Sequence, residues 1–155
     1  MKKLSLAIYI LSIIGTIMWS LTNKKPFTEN IEIVAVIAIV GMYLMSGFEK
    51  IIPFKVGGDD VERLVNKYAK YGVGLPLDLT TFIVFFGGLV EFISSILLFY
   101  GVFFNKKSFR TAGAWSLIAF TILATLMMYA NPIVGVSVIP VMSNINSVGG
   151  LLAIL

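Results

Sequence analysis

The sequence predicts an all-α integral membrane protein, a bundle of helices crossing the bilayer, and three observations predict it. Of 155 residues, 58% are hydrophobic and only 13% are charged, where a soluble domain carries about 25% charged residues. The apolar residues are gathered into runs of about 18 or more, the length that spans a hydrocarbon core. These runs lack the alternation of barrel strands, and lipid leaves only helices or closed barrels as ways to satisfy the backbone.

Four transmembrane helices are expected within a single domain covering 1–155. The first occupies 4–21, from Leu4 to Leu21, between Lys2-Lys3 and Lys24-Lys25. Its charged start resembles a secretory signal peptide, but the run is long and lacks an A-x-A-like cleavage site, so a retained span is expected. Trp19 suits an interfacial anchor near its end. The second span, about 33–52, stops at Pro53 and carries Gly41, Ser46 and Gly47, small enough to admit a neighbouring helix closely. The third, 79–104, is interrupted by Glu91, and the fourth, 112–130, meets Asn131-Pro132, where proline ends or kinks a helix.

Segment 133–155 is broken by Gly135 and Pro140 and is polar over Ser143 to Ser147. A helix from about Val141 to Leu155 would reach roughly 22 Å, short of the roughly 30 Å hydrocarbon core. A short, tilted or re-entrant fifth segment is therefore expected.

The polar stretch between the second and third spans predicts an amphipathic helix over about 59–71. Val61, Leu64, Val65 and Tyr68 fall on one face, Glu62, Arg63, Asn66, Lys67 and Lys70 on the other, with Asp59 or Asp60 as N-cap and Gly72 and Gly74 at the end. Such a helix lies in the membrane interface, although the same pattern would serve one packed on a soluble partner.

Charge and composition exclude several functions. The net charge is +4 and the pI about 9.4, but the 12 Lys and Arg residues sit at the ends of apolar runs, which indicates anchoring and topology, not nucleic acid. With four spans, Lys2, Lys3, Lys50, Lys55, Arg63, Lys67 and Lys70 share one side, against Lys24, Lys25, Lys106, Lys107 and Arg110. That count favours an inside N-terminus by a small margin. The absence of cysteine and histidine removes thiol redox chemistry, disulfides, Cys or His zinc sites and imidazole ligation of haem or copper. No cofactor or metal is expected.

Glu91 is the most informative residue. An ionisable group near the middle of a span costs about 2.5 kcal/mol or more unless paired, neutralised or wetted. Read as helix, Gly87, Gly88, Glu91, Ser94 and Ser95 form a small and polar stripe that turns the carboxyl into the bundle. Lys50 is its best charged partner, with Glu49 competing for it. Depth opposes the pairing, since Glu91 lies roughly 18 Å into its span and Lys50 sits nearer a boundary. A long lysine chain, a water or a protonated Glu91 would close the gap. The pair is expected as a structural polar lock, with a proton or ligand site as the alternative.

The remaining candidates read as structural. Tyr9, Trp19, Tyr43, Tyr68, Tyr71, Tyr100, Trp115 and Tyr129 fit interfacial belts, with a quinone or sterol pocket as the sharper alternative. Met42, Met45, Met127 and Met128 read as gap fillers. Asn131 and Asn144 to Asn146 are suited to satisfying freed backbone at a helix break. The glycines form no phosphate loop.

The stretch Tyr43-Leu-Met-Ser-Gly47-Phe-Glu-Lys50-Ile-Ile-Pro53-Phe, followed by Gly87-Gly-Leu-Val-Glu91-Phe-Ile-Ser-Ser-Ile-Leu-Leu-Phe-Tyr-Gly101, resembles the DoxX-like membrane proteins. Their first motif is a span ending in a small residue followed by Lys; their second is a Glu within a span ahead of Leu-rich sequence and Gly. Arg110 to Tyr129 is similar to the span that follows. The extra helix 4–21 and the broken end after Asn131 depart from the family pattern. The resemblance implies that Gly47, Lys50 and Glu91 are the family's polar positions. It also implies service to another membrane or redox protein: a non-catalytic accessory or assembly subunit docked on a larger partner or in a homo-oligomer. The alternatives are a quinone- or sterol-binding or proton-handling protein centred on Glu91, and a scaffold in a large membrane-containing assembly.

Overall fold

The computed structural model describes residues 10, 11, 13–18, 21, 22, 27–51, 59–133 and 135–155. Half of the expected first span falls outside these residues. Residues 10, 11, 13–18, 21 and 22 are helical and mostly exposed, while 4–9, 12, 19 and 20, with Trp19, lie outside the described residues, as do Lys2, Lys3, Lys24, Lys25 and Lys55 of the charge count.

Five helices follow: α1 (Phe27–Ile51), α2 (Asp59–Ala69), α3 (Leu77–Phe103), α4 (Lys107–Met128) and α5 (Val138–Ile154). Three segments among the described residues are long and apolar enough to cross a membrane: Glu32–Ile51, Leu77–Phe103 and Lys107–Met128. At 1.5 Å per residue the 27 residues of α3 reach about 40 Å.

The helices pack as a bundle around α3, which lies along both α1 and α4. Glu32 meets Arg110 and Tyr43 meets Thr121, so α1 and α4 run parallel. Gly113 abuts Ser94 and Leu98, and Gly87 abuts Phe120, so α3 runs antiparallel to α4. Glycine sets these distances. A Cβ on Gly113 would stand 2.5 Å from the Leu98 nitrogen, and one on Gly101 would stand 2.2 Å from the Arg110 nitrogen.

The burial pattern of α3 inverts that of a soluble helix. Its buried side holds Thr80, Gly88, Glu91, Ser94, Ser95, Leu98 and Gly101, while Phe82, Phe86, Ile93 and Ile96 are exposed. In water this arrangement would squander the hydrophobic effect. In lipid it is favourable, because small and polar residues let backbones approach and large apolar ones meet acyl chains.

For α2 the structure adds what covers the apolar face. The helix forms where predicted, with Asp59, Asp60 and Glu62 in its first turn, favourably placed on the positive end of the dipole. Gly72, at φ 78°, closes it, with Gly72 N–H bonded to Ala69 O and Val73 N–H to Tyr68 O. Its apolar face, however, does not lie free in an interface. Val61, Leu64 and Tyr68 are buried, and Leu64 and Tyr68 pack with Val73, Leu75, Met127 and Met128. Tyr68 Oη donates to Met127 O at 3.0 Å, and Lys67 Nζ donates to Met128 O. The chain's own α4 end is the partner the amphipathic pattern was built for.

Segment 133–155 holds a short helix as expected, and its break falls at Gly135, before Pro140. After Met128 the chain makes a small antiparallel ribbon, β1 (Ala130–Asn131) against β2 (Gly135–Val136), an addition to the expected all-α fold. Asn131 supports it as predicted, its Nδ2 donating to Leu126 O and Met127 O and its Oδ1 accepting from Ile133 N–H. α5 then runs unbroken for 17 residues, about 25 Å. Pro140 falls in its first turn, where the missing N–H costs no helical bond.

Candidate functional site

The site grows from the crossing of α1 and α3. A Cβ on Gly47 would lie 2.7 Å from Gly88 O and 2.8 Å from Phe92 N, and one on Gly88 would lie 2.7 Å from Lys50 Cβ. Only two glycines allow this approach. Ser46 and Lys50, one turn apart on α1, share a face, and the crossing brings that face level with Glu91 near the middle of α3. Depth is no obstacle, because Gly88 lies against both Gly47 and Lys50 and the ammonium reaches the carboxylate directly at 2.6 Å.

The three sequence-predicted residues Gly47, Lys50 and Glu91 therefore meet, and Ser46 completes them. Lys50 Nζ donates to Glu91 Oε2 at 2.6 Å and to Ser46 Oγ at 2.9 Å, and Ser46 Oγ donates to Glu91 Oε1 at 3.2 Å. The result is a closed ring in which each carboxylate oxygen has a donor and the serine both gives and accepts. The Glu91 side chain is 5% exposed and that of Lys50 17%. A buried pair of this kind depends on hydrogen bonds beyond the ion pair itself, and Ser46 supplies one to each partner. Two of the three ammonium hydrogens are taken; among the described residues the third has no hydrogen-bond acceptor, and Nζ stands 5.5 Å from the Phe120 ring centroid.

This ring forms one wall of a cavity of about 600 Å³, bounded by α1, α2, α3 and α4 with Asn144 of α5. The other walls are mostly apolar, among them Leu64, Val90, Phe120 and Met127. Ile83, Phe86 and Leu123 also line it and are exposed at the outer surface. The cavity thus reaches Glu91 and its Lys50 partner together, with Phe120 beside the ammonium.

A second polar seam runs past the cavity. Thr121 Oγ1 gives its hydrogen to Leu117 O, so Tyr43 Oη must be the donor in the 2.5 Å contact between Tyr43 and Thr121. Asn144 Nδ2 donates to Thr125 Oγ1 at 2.8 Å. Two expectations are corrected here. Tyr43 is buried in the bundle and belongs to no interfacial belt, and Asn144 links α5 to α4 by side chains without mending any helix break.

Sequence reasoning missed Ser46 as a polar partner and Thr121, Asn144 and Asp60 as cavity lining. The i, i+4 spacing of Ser46 and Lys50 was the available signal for the first; the others depend on tertiary packing. It also missed the far end of the bundle, where Arg110 Nη2 stands 2.7 Å from Glu32 Oε1 as a charge contact without hydrogen-bond alignment, and Arg110 Nε donates to Ile154 O.

Comparison of the chain with family models, with curated proteins and with solved structures gives no match in any of the three.

Proposed function

We propose that this chain is a non-catalytic, multi-pass membrane protein that holds a small amphiphile in the cavity beside Lys50 and Glu91. The observation that carries this reading is the cavity itself: about 600 Å³, mostly apolar, with a few convergent polar groups on one wall, the character of a small-molecule site. A bilayer setting is supported by the outward phenylalanines and isoleucines of α3.

Catalysis and proton handling draw no support from the ring. Each Glu91 oxygen already accepts one hydrogen bond, from Lys50 or from Ser46, which supports a structural role for the carboxylate. The resemblance to DoxX-like proteins is part of the same proposal. The meeting of Gly47, Lys50 and Glu91 supports it, while the absence of a family-model match means that the functional reading stands on geometry. An accessory or assembly role is compatible with a bound amphiphile, although α2, the helix expected to dock a partner, has spent its apolar face inside the chain.

The test uses Ala124, which lines the cavity and is half-buried. Wild type and Ala124→Phe, purified from membranes in mild detergent, are extracted with organic solvent and the extracts compared by mass spectrometry. A co-purifying amphiphile depleted in the variant is expected. Identical extracts, or none from either, would overturn the reading.

A further inference from the structure

Resting on that reading, we infer that the cavity selects an electrically neutral, membrane-dissolved amphiphile whose head carries a hydrogen-bond acceptor. That acceptor is received by the third ammonium hydrogen of Lys50, and the ligand enters laterally between α3 and α4.

The charge lining the cavity decides the class. Among the described residues the lining holds one cation, Lys50, and two anions, Glu91 and Asp60. Lys50 is already neutralised at 2.6 Å by Glu91. An incoming carboxylate or phosphate would have to share that ammonium with Glu91 and lose its hydration beside the Glu91 carboxylate, and like charges in a low-dielectric site repel. Asp60, half-exposed and 3.7 Å from Arg63, adds little to this. An ammonium head would meet Lys50 itself. A carbonyl, ester or hydroxyl oxygen meets neither objection and satisfies the donor that the ring leaves over, because burying a polar hydrogen without a partner is unfavourable.

The route follows from which lining residues reach the outside. The polar members of the ring and seam, Lys50, Glu91 and Thr121, are mostly enclosed, and on the flank between α3 and α4 the exposed members Ile83, Phe86 and Leu123 are apolar, while the half-exposed Asp60 lies apart on α2. An opening framed by such side chains on a lipid-facing flank admits a molecule already dissolved among acyl chains and repels one arriving from water.

The experiment places the full chain in lipid nanodiscs and titrates methyl dodecanoate, dodecanoate and dodecylammonium, reading the thermal unfolding midpoint against probe mole fraction. Ala124→Phe measures the shift that comes from the bilayer alone. The neutral ester should raise the wild-type midpoint at a mole fraction about tenfold lower than either charged probe. Glu91→Gln keeps hydrogen bonding but leaves Lys50 an unbalanced cation, so the preference should invert towards dodecanoate. A purely structural lock would show no such inversion. If dodecanoate matched or exceeded the ester in wild type, the ligand class would be wrong and the cavity reading would stand. If no probe shifted wild type more than Ala124→Phe, the cavity reading itself would fall.

Discussion

Gly47 and Gly88 face each other at the crossing of α1 and α3, and no other residue fits at either place: a Cβ on Gly47 would stand 2.7 Å from the Gly88 oxygen, and one on Gly88 would stand 3.1 Å from the Gly47 oxygen. The contacts are with backbone atoms and with the Cβ atoms of Lys50 and Glu91, which the backbone fixes, so no side chain can swing away to relieve them. The ring of Ser46, Lys50 and Glu91 is built directly on this approach, since a wider crossing would pull the ammonium from the carboxylate.

Gly47→Ala should therefore destabilise the protein by about 1–3 kcal/mol, the usual cost of overpacking a tight contact. Gly149→Ala, exposed in α5 with nothing within 4 Å of the added carbon, should be neutral or stabilising by about 0.5–1 kcal/mol through helix propensity. Thermal midpoints in detergent for the two variants compare them directly. Equal effects would mean that the crossing is looser than these distances imply.

At the opposite end of the bundle Arg110 holds two elements at once, the Glu32 carboxylate on α1 and the Ile154 carbonyl on α5. The ion pair is partly exposed and lacks hydrogen-bond alignment, so it contributes about 0–1 kcal/mol. The charged hydrogen bond to the carbonyl contributes more, about 1.5–3 kcal/mol. Arg110→Lys keeps the charge but loses the fork that serves both partners. It should loosen the last turn of α5 more than the start of α1, which amide hydrogen exchange would resolve. Uniform loosening of both would show that the ion pair is the stronger tie.

Much of this arrangement is legible in the residues themselves. Glu91 announces itself because an acid inside an apolar run requires compensation, and the small and polar residues around it show which way it points. Lys50 follows as the nearest cation, and α2 from its apolar period. What the pattern does not show is the partner of α2's apolar face, because amphipathicity records that a surface is covered and not by what. Pro140 misleads for a related reason: a proline breaks a helix interior and tolerates a first turn, and which applies depends on where the ribbon after Asn131 ends. Ser46 reads as small when it is also a donor, and Tyr43 as interfacial when Thr121, far along the chain, supplies its acceptor.

Tyr68→Phe probes the docking of α2. The hydroxyl donates to Met127 O at 3.0 Å and accepts from Asn131 Nδ2 at 3.2 Å, while the ring packs with Leu64, so the variant keeps the apolar contact and loses only the polar ones. The expected cost is about 1–2 kcal/mol. It should appear as faster hydrogen exchange in α2 and in the ribbon together, since Asn131 belongs to both. Faster exchange in α2 alone would show that the ribbon is held by its own turn.

The central prediction is the double-mutant cycle on Lys50 and Glu91. Glu91→Gln should be the milder change: it leaves Lys50 an unbalanced cation, but that side chain is 17% exposed against 5% for Glu91, and the amide can turn its oxygen to the ammonium and its N–H2 to the second lone pair of Ser46. Lys50→Met leaves the carboxylate with only Ser46, in a position where its side chain is 5% exposed. Stranding one partner of a buried pair costs about 3–5 kcal/mol, mostly from the charge left behind. The double variant removes that charge and should recover stability relative to Lys50→Met alone, with a coupling energy of about 0.5–3 kcal/mol, as expected for groups in contact. Thermal unfolding of the four proteins in one detergent measures it. Strictly additive effects would show that the ammonium and the carboxylate do not meet, and would free Glu91 for a role that the ring denies it.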